Sequence, residues 1–317
     1  MDDQEDVMAK SARTRDARAR YTIREHRIPT ADAQPYILTL GPDGHVWFCE
    51  AGADRIGRLS THDYSFAEFR LPGKGSMPVG IIAGADGNLW FTEYRGHKVG
   101  RITPGGAITE FTLPTHNAGP NGIACGPDGN LWFAETDVDQ VGRITPAGVI
   151  TEFSAGITPG GRPLAPTTGG GFVWISEAAG SAVARVAMDG TIREFPTPSA
   201  NSGPRAITPG PDGRFWFVQT SANSIGRISK DGHIVEFPFP RAGASLRGID
   251  RTSEDDFLIT ENATNFIGRM NIAGEVTDEY PIPTPNAGAR AILALPDGRA
   301  FFSEHDVGQI GELIPLP

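Results

Sequence analysis

Apolar residues along this chain come in short runs rich in Val, Ile, Leu, Phe and Trp, each closed off by Gly, Pro, Asn or Asp. Runs of that kind read as β-strands separated by tight turns. No stripe with a 3.6-residue period is present, so an amphipathic helix is not predicted. The runs themselves recur. One unit reads GP-x-GI-x-x-GPDG-x-LWF-x-E, followed by N-x-IGRI-x-x-x-G-x-ITEF-x-LPTP. Its tryptophan returns as Trp47, Trp90, Trp132, Trp174 and Trp216, with Leu258 and Phe301 in the last two units. An acidic column runs Glu50, Glu93, Glu135, Glu177, Gln219, Glu261 and Glu304. A basic column runs Arg58, Arg101, Arg143, Arg185, Arg227 and Arg269, with Glu312 in the seventh place.

Three columns in phase at 42–43 residues define seven units. Each unit holds four strands: A through GI-x-x-G, B through LWF-x-E, C through IGRI and D through ITEF. Four strands per repeat of roughly 40–45 residues make one propeller blade. The prediction is an all-β, seven-bladed β-propeller. The last unit ends at IGELIPLP (310–317) without a strand D, while YTIREHRIPT (21–30) resembles the strand-D segment AITEFTLPT (107–115). The N-terminal strand is therefore expected to complete blade 7 and cover its open edge. That makes residues 20–317 a single domain and residues 1–19 a flexible arm.

Composition narrows the function. The 40 Gly and 26 Pro are absorbed by turns, and the net charge of −10 argues against a protein that tracks nucleic-acid phosphates. Cys49 and Cys125 are the only cysteines and make no disulfide framework or metal-ligand spacing. No apolar run reaches the roughly 18 residues of a membrane span, and the polar N-terminus has no signal-peptide core. A cytoplasmic protein with no membrane partner is expected.

Strand alternation puts the short A–B and C–D turns on one face and the longer D–A and B–C connections on the other. Chemistry is expected on the second face, where the sequence departs from sevenfold symmetry. The recurring Glu and Arg columns are expected to tie strand B to strand C, and the tryptophans to pack between blades. The residue opening strand A varies instead: Tyr36, Val79, Asn121, Leu164, Arg205, Arg247 and Arg290. Strand A lines the central channel, so Arg205, Arg247 and Arg290 should converge beside Tyr36 at its mouth. Planar guanidinium groups suit a carboxylate or phosphate; the alternative is that each arginine pairs with a column glutamate. Gln219, the neutral column member, is expected to leave Arg205 freer for a substrate. His97, His116 and His305 lie in connections on the same face, and His305 beside Glu304, or His116, is a candidate proton carrier. No P-loop, HExxH, GxSxG or dinucleotide fingerprint is present.

The segments GPNGIACGPDGNLWFAET (119–136) and QVGRITPAGVITEF (140–153) resemble the streptogramin B lyases, also called virginiamycin B lyases, and the resemblance extends over residues 21–317. It implies a propeller enzyme that linearises a cyclic depsipeptide by elimination at its ester, with magnesium on carboxylates, a proton-transferring histidine, and a second histidine and a tyrosine nearby. By that resemblance Tyr36 is the tyrosine and Glu304 a magnesium ligand. The two histidines correspond to Arg247 and Arg290, and the second metal-binding glutamate to Gly288. An arginine stays protonated, is a poor base and repels a divalent cation. The expected activity is thus elimination or opening of an ester or lactone in a small anionic substrate. His305, His116 and Tyr36 would be the catalytic groups, and Arg205, Arg247, Arg290 and Gln219 the binding groups. A non-catalytic ligand- or protein-binding propeller and a metal-dependent lactonase are the alternatives.

Overall fold

The computed structural model describes residues 21–316 and is built of strands, in seven four-stranded antiparallel sheets, with no helix among the described residues. In blade 1, strands A (Pro35–Leu40), B (Val46–Glu50), C (Arg55–Leu59) and D (Phe66–Arg70) are hydrogen-bonded in that order. The same order repeats through blade 6. Blade 7 is made of strands A (Ala289–Ala294), B (Ala300–Glu304) and C (Gln309–Pro315), and its strand D is the N-terminal Tyr21–Arg27. That strand pairs antiparallel with strand C from Tyr21 opposite Pro315 to Arg27 opposite Gln309. The ring closes as the sequence pattern predicts; the arm expected over residues 1–19 lies outside the described residues.

Strand B is buried end to end in six blades and in all but its first residue in blade 4. Its tryptophan does pack between blades: Trp47 stacks on Phe69 of its own blade at 5.3 Å and joins Ile81, Leu89 and Phe91 of blade 2. The IGR motif follows from this packing. Its glycine lies under the strand-B phenylalanine; a Cβ on Gly100 would sit 2.0 Å from Phe91 Cζ. Its arginine covers the tryptophan, as Arg101 does Trp90 at 5.5 Å, and Arg101 also donates to the carbonyl of Pro146 in the next blade at 3.1 Å. The expectation that the arginine and glutamate columns bind each other is therefore corrected. Register sets Arg58 opposite Trp47, while Glu50 faces Arg55 at the other end of the strand.

The glutamates serve a different purpose. Each strand D carries its own glutamate, and in every blade but the second it accepts hydrogen bonds from the loop leaving the previous blade. Glu152 takes them from the N–H and hydroxyl of Thr115 at 3.0 and 2.7 Å, and Glu25 from Thr284 at 2.7 and 2.8 Å. The column glutamates are wholly buried. Glu50, Glu177 and Glu304 lie against the strand-D carboxyls Glu68, Glu194 and Glu25, and their oxygens meet no other hydrogen-bond partner. Two carboxyl groups so placed can share a hydrogen bond only if one is protonated, and the strand-D oxygens are already acceptors. The proton belongs to the column residue. Burial first, and the neighbouring carboxyl second, push Glu50 and Glu304 up to about 8 and Glu177 to about 9, from 4.5.

Blade 5 shows the same bond with a permanent donor. Gln219 Nε2 donates to Glu236 Oε1 at 2.8 Å. Burial pushes the Glu236 pKa up, but bonds from Ser199 and Gln219 outweigh it and hold the group below its ordinary value.

Two outcomes are expected in equilibrium unfolding. The folded state retains column protons that the unfolded chain releases above about 4.5, so stability should fall as pH rises from 5.5 to 9. Each site contributes at most about 1.4 kcal/mol per pH unit. Glu177→Gln should flatten that slope; stability that is level or rising over this range would contradict the assignment. Removal of residues 21–27 should lower Tm far more than removal of residues 1–18, and equal losses would contradict closure by the N-terminal strand.

Candidate functional site

Every strand A breaks register with strand B just after its first residue, between Pro35 and Leu38 in blade 1 and between Leu246 and Ile249 in blade 6, for example. A bulge of this type re-aims a side chain. Here it turns the variable residue into the mouth of the channel. Tyr36, Val79, Asn121, Leu164 and Arg205 line a cavity of about 450 Å³ with Met77, Tyr94, Thr136, Arg162, Ala178 and Ala179. Tyr36, Asn121, Leu164 and Arg205 also border a narrower throat of about 70 Å³, completed by Arg247 and Arg290. The seven strand-A positions thus come together on the face of the D–A and B–C connections.

The arginines at the throat have no ion pair among the described residues, and the Nε atoms of all three are buried without a hydrogen-bond partner. The alternative that each is neutralised by a column glutamate is corrected, because those glutamates are turned into the blades. Desolvation lowers the pKa of Arg205 and Arg247. Arg290 adds to the effect in both, and Arg205 and Arg247 are also lowered by Arg162 and Arg205 respectively. Arg290 lies over the ring of Tyr36 at 5.1 Å. Tyr36 in turn meets His305 edge-on at 5.9 Å, and His305 Nδ1 is 2.7 Å from Asp306 Oδ1. Burial, opposed by Asp306 and reinforced by Arg290 and Arg247, holds the His305 pKa below its ordinary value.

Other expected residues are elsewhere. Gln219 is corrected from substrate ligand to scaffold, since its amide is buried and committed to Glu236. His116 is exposed on its loop and is not among the residues lining the cavity or throat. Glu304 is wholly buried against Glu25, the arrangement repeated in other blades, and Gly288 offers no side-chain oxygen. Among the described residues no group of three or more His, Cys, Asp or Glu side chains is placed to hold a metal ion. These residues do not fit the magnesium site that the resemblance implies.

Two positioning groups escaped sequence reasoning. Thr260 Oγ1 accepts the N–H of Gly248 at 2.7 Å and donates to the carbonyl of Arg290 at 2.8 Å, fixing the bulges that carry Arg247 and Arg290. Asp250 accepts bonds from Thr208 Oγ1 at 3.2 Å and from the N–H groups of Arg251 and Ala294 at 2.9 Å each, joining the A strands of blades 5, 6 and 7. Those are the three blades bearing the arginines. The departure of Asp250 from the apolar strand-A pattern was its only signal.

Fold and site together define a seven-bladed propeller with an open cavity on its loop face and three arginines at the throat beside it. The virginiamycin B lyase family matches residues 12–171 and 158–315, and the chain belongs to that family. Virginiamycin B lyase from Staphylococcus aureus has a TM-score of 0.88 and 34% identity, covering 94% of this chain and 100% of its own. A streptogramin B lyase has a TM-score of 0.88 and 31% identity, covering 93% of this chain and 98% of its own. A catalytically inactive histidine-to-alanine form of the Staphylococcus aureus enzyme with quinupristin has a TM-score of 0.88 and 35% identity, covering 94% and 100%. A comparison with curated proteins returns no match. Among the described residues no helix is long and apolar enough to cross a membrane.

Thr260→Val should cost about 1–3 kcal/mol of stability by orphaning a buried N–H and a carbonyl. It should weaken anion binding at the throat as well, measured by calorimetry on the folded variant. Unchanged binding would show that the bulges hold their arginines without it.

Proposed function

We propose that this protein is an enzyme that breaks an ester- or lactone-type C–O bond in a small anionic substrate seated at the channel mouth, and that this substrate is not a streptogramin. The observation carrying the proposal is the set of three arginines without protein counter-ions at a throat bordered by Tyr36, whose ring meets His305 edge-on; His305 itself borders a neighbouring pocket with Asp306 and Gln34. A neutral imidazole is the form that accepts a proton, and the lowered His305 pKa supplies it at neutral pH. Asp306 on Nδ1 orients the ring and leaves Nε2 as the proton acceptor.

In the elimination, His305 Nε2 takes a proton from the carbon next to the one bearing the ester oxygen. The C–H electron pair becomes a C=C bond, the C–O bond breaks, and its electron pair leaves on the carboxylate. Arg205, Arg247 and Arg290 stabilise the negative charge as it develops. Quinupristin, bound by the inactive Staphylococcus aureus variant, sets the comparison. Arg247 and Arg290 stand where the resemblance implies histidines, so that substrate is expected to survive here.

Mass spectrometry separates the outcomes. A carboxylate-bearing lactone should yield a ring-opened product of unchanged mass, or one water heavier if opening is hydrolytic, while quinupristin stays intact. Linearisation of quinupristin would overturn the substrate assignment, and inertness toward every lactone would overturn the enzymatic reading in favour of a binding propeller. On an active substrate, His305→Gln should reduce kcat by roughly 10²–10⁴-fold. The acid limb of kcat/KM should have its midpoint below 6.5, because activity requires neutral His305. Asp306→Asn removes a group that raises this pKa and should shift the limb to lower pH; Arg247→Gln removes one that lowers it and should shift the limb up.

A further inference from the structure

The charge at the throat says more about the ligand than that it is anionic. Arg205, Arg247 and Arg290 bring three positive charges to a space of about 70 Å³ whose remaining walls are Tyr36, Ile37, Asn121, Gly122, Leu164, Ala165 and Ala206. The carboxylate acting on the group is Asp306, which is committed to His305 Nδ1. Arg162, at the edge of the larger cavity, is matched separately by Asp137 at 3.1 Å, an oxygen that also accepts from Tyr94 at 2.9 Å. Three cations against one carboxylate leave two charges uncompensated.

Like-charged groups share so small a space without protein counter-ions only at a cost that an incoming anion relieves. A single carboxylate would leave the throat still positive. The larger cavity, by contrast, offers Met77, Val79, Leu164, Ala178 and Ala179 beside Tyr94, Asn121 and Thr136. Of its two cations, Arg162 is already paired with Asp137 and Arg205 stands at the border with the throat, so the rest of the cavity suits an uncharged remainder of mixed polarity.

We infer that the throat is a binding site for a dianionic head group, a phosphate monoester or a compact dicarboxylate, and that the uncharged body of the same molecule occupies the adjoining cavity. This rests on the reading of the site above for its place in the protein, but not on turnover. The neighbourhood also makes the arginines hard to replace. Guanidinium groups bordering one small space can give bidentate bonds to the oxygens of one head group, which lysine would not reproduce.

The test uses unreactive anions and the full-length protein, so its failure is distinct from failure of the catalytic assignment. Inorganic phosphate, malonate and acetate are titrated by calorimetry at constant ionic strength and pH 8, with sodium chloride as the control. Phosphate, malonate or both should bind at least tenfold more tightly than acetate, and the better of the two identifies the head-group chemistry. Arg247→Gln and Arg205→Gln should each weaken that dianion about tenfold or more. Two variants guard against the case in which one fails to fold, as judged by Tm. Acetate binding as tightly as either dianion, no binding beyond the chloride control, or full dianion affinity in both folded variants would overturn the inference.

Discussion

In blades 1, 4 and 7 the outer-strand carboxylate holds the threonine of the previous blade while a second, buried carboxyl that keeps its proton lies beside it, and in blade 5 an amide takes the place of that carboxyl. This arrangement decides much of the architecture. It joins strand B to strand D across the blade, and through the threonine it joins one blade to the next on the face where the long connections lie. In two blades a cation meets the outer carboxylate instead: strand-C Lys98 bonds Glu110 in blade 2, and Arg241, in the loop leaving blade 5, is bidentate to Glu279 in blade 6. The tryptophan, phenylalanine and arginine layers complete the packing, but they are indifferent to pH. The shared proton is not.

Against this uniform scaffold the site is made of exceptions. The bulge in strand A recurs in all seven blades, so the backbone presents seven equivalent side chains at the channel mouth. What those side chains are is left free by the fold. Blades 5, 6 and 7 use that freedom for arginine, and the same blades are cross-linked lower in the channel by Asp250. A rigid frame that holds like charges together is the condition for a cationic site that is ready before its ligand arrives. Glu312 is a second exception. Where other blades have the stacked arginine, this buried carboxylate lies 3.0 Å from His26 of the closing strand and 3.3 Å from Tyr64 of blade 1. It thus ties blade 7 both to its N-terminal strand and to its neighbour across the seam.

Much of this was legible in the residues. The 42–43-residue period, the turn motifs and the orphan strand at 21–30 carry the propeller and its closure, because repetition averages out the ambiguity of any single strand. The arginine ring was legible for the opposite reason, as the one column that refuses to repeat. The partner of the glutamate column was not. A column of glutamates in phase with a column of arginines suggests ion pairs, yet pairing depends on register, and register sets the arginines over tryptophan. Gln219 held the clue, since glutamine can replace glutamate in this setting only if the glutamate is a neutral donor. Thr260 and Asp250 were hidden because their role depends on neighbouring blades that sequence does not juxtapose.

Membership in the virginiamycin B lyase family fixes the scaffold, while the residues at the channel mouth set this chain apart from the chemistry the resemblance implies. Both halves of the account turn on where protons lie. Neutron diffraction from a deuterated crystal at neutral pH measures this directly. The account predicts a deuteron on Glu177 directed at Glu194, a deuterated Gln219 amide directed at a bare Glu236 carboxylate, and fully deuterated guanidinium groups at Arg205, Arg247 and Arg290. A bare carboxylate at Glu177, with a cation or water between it and Glu194, would contradict it.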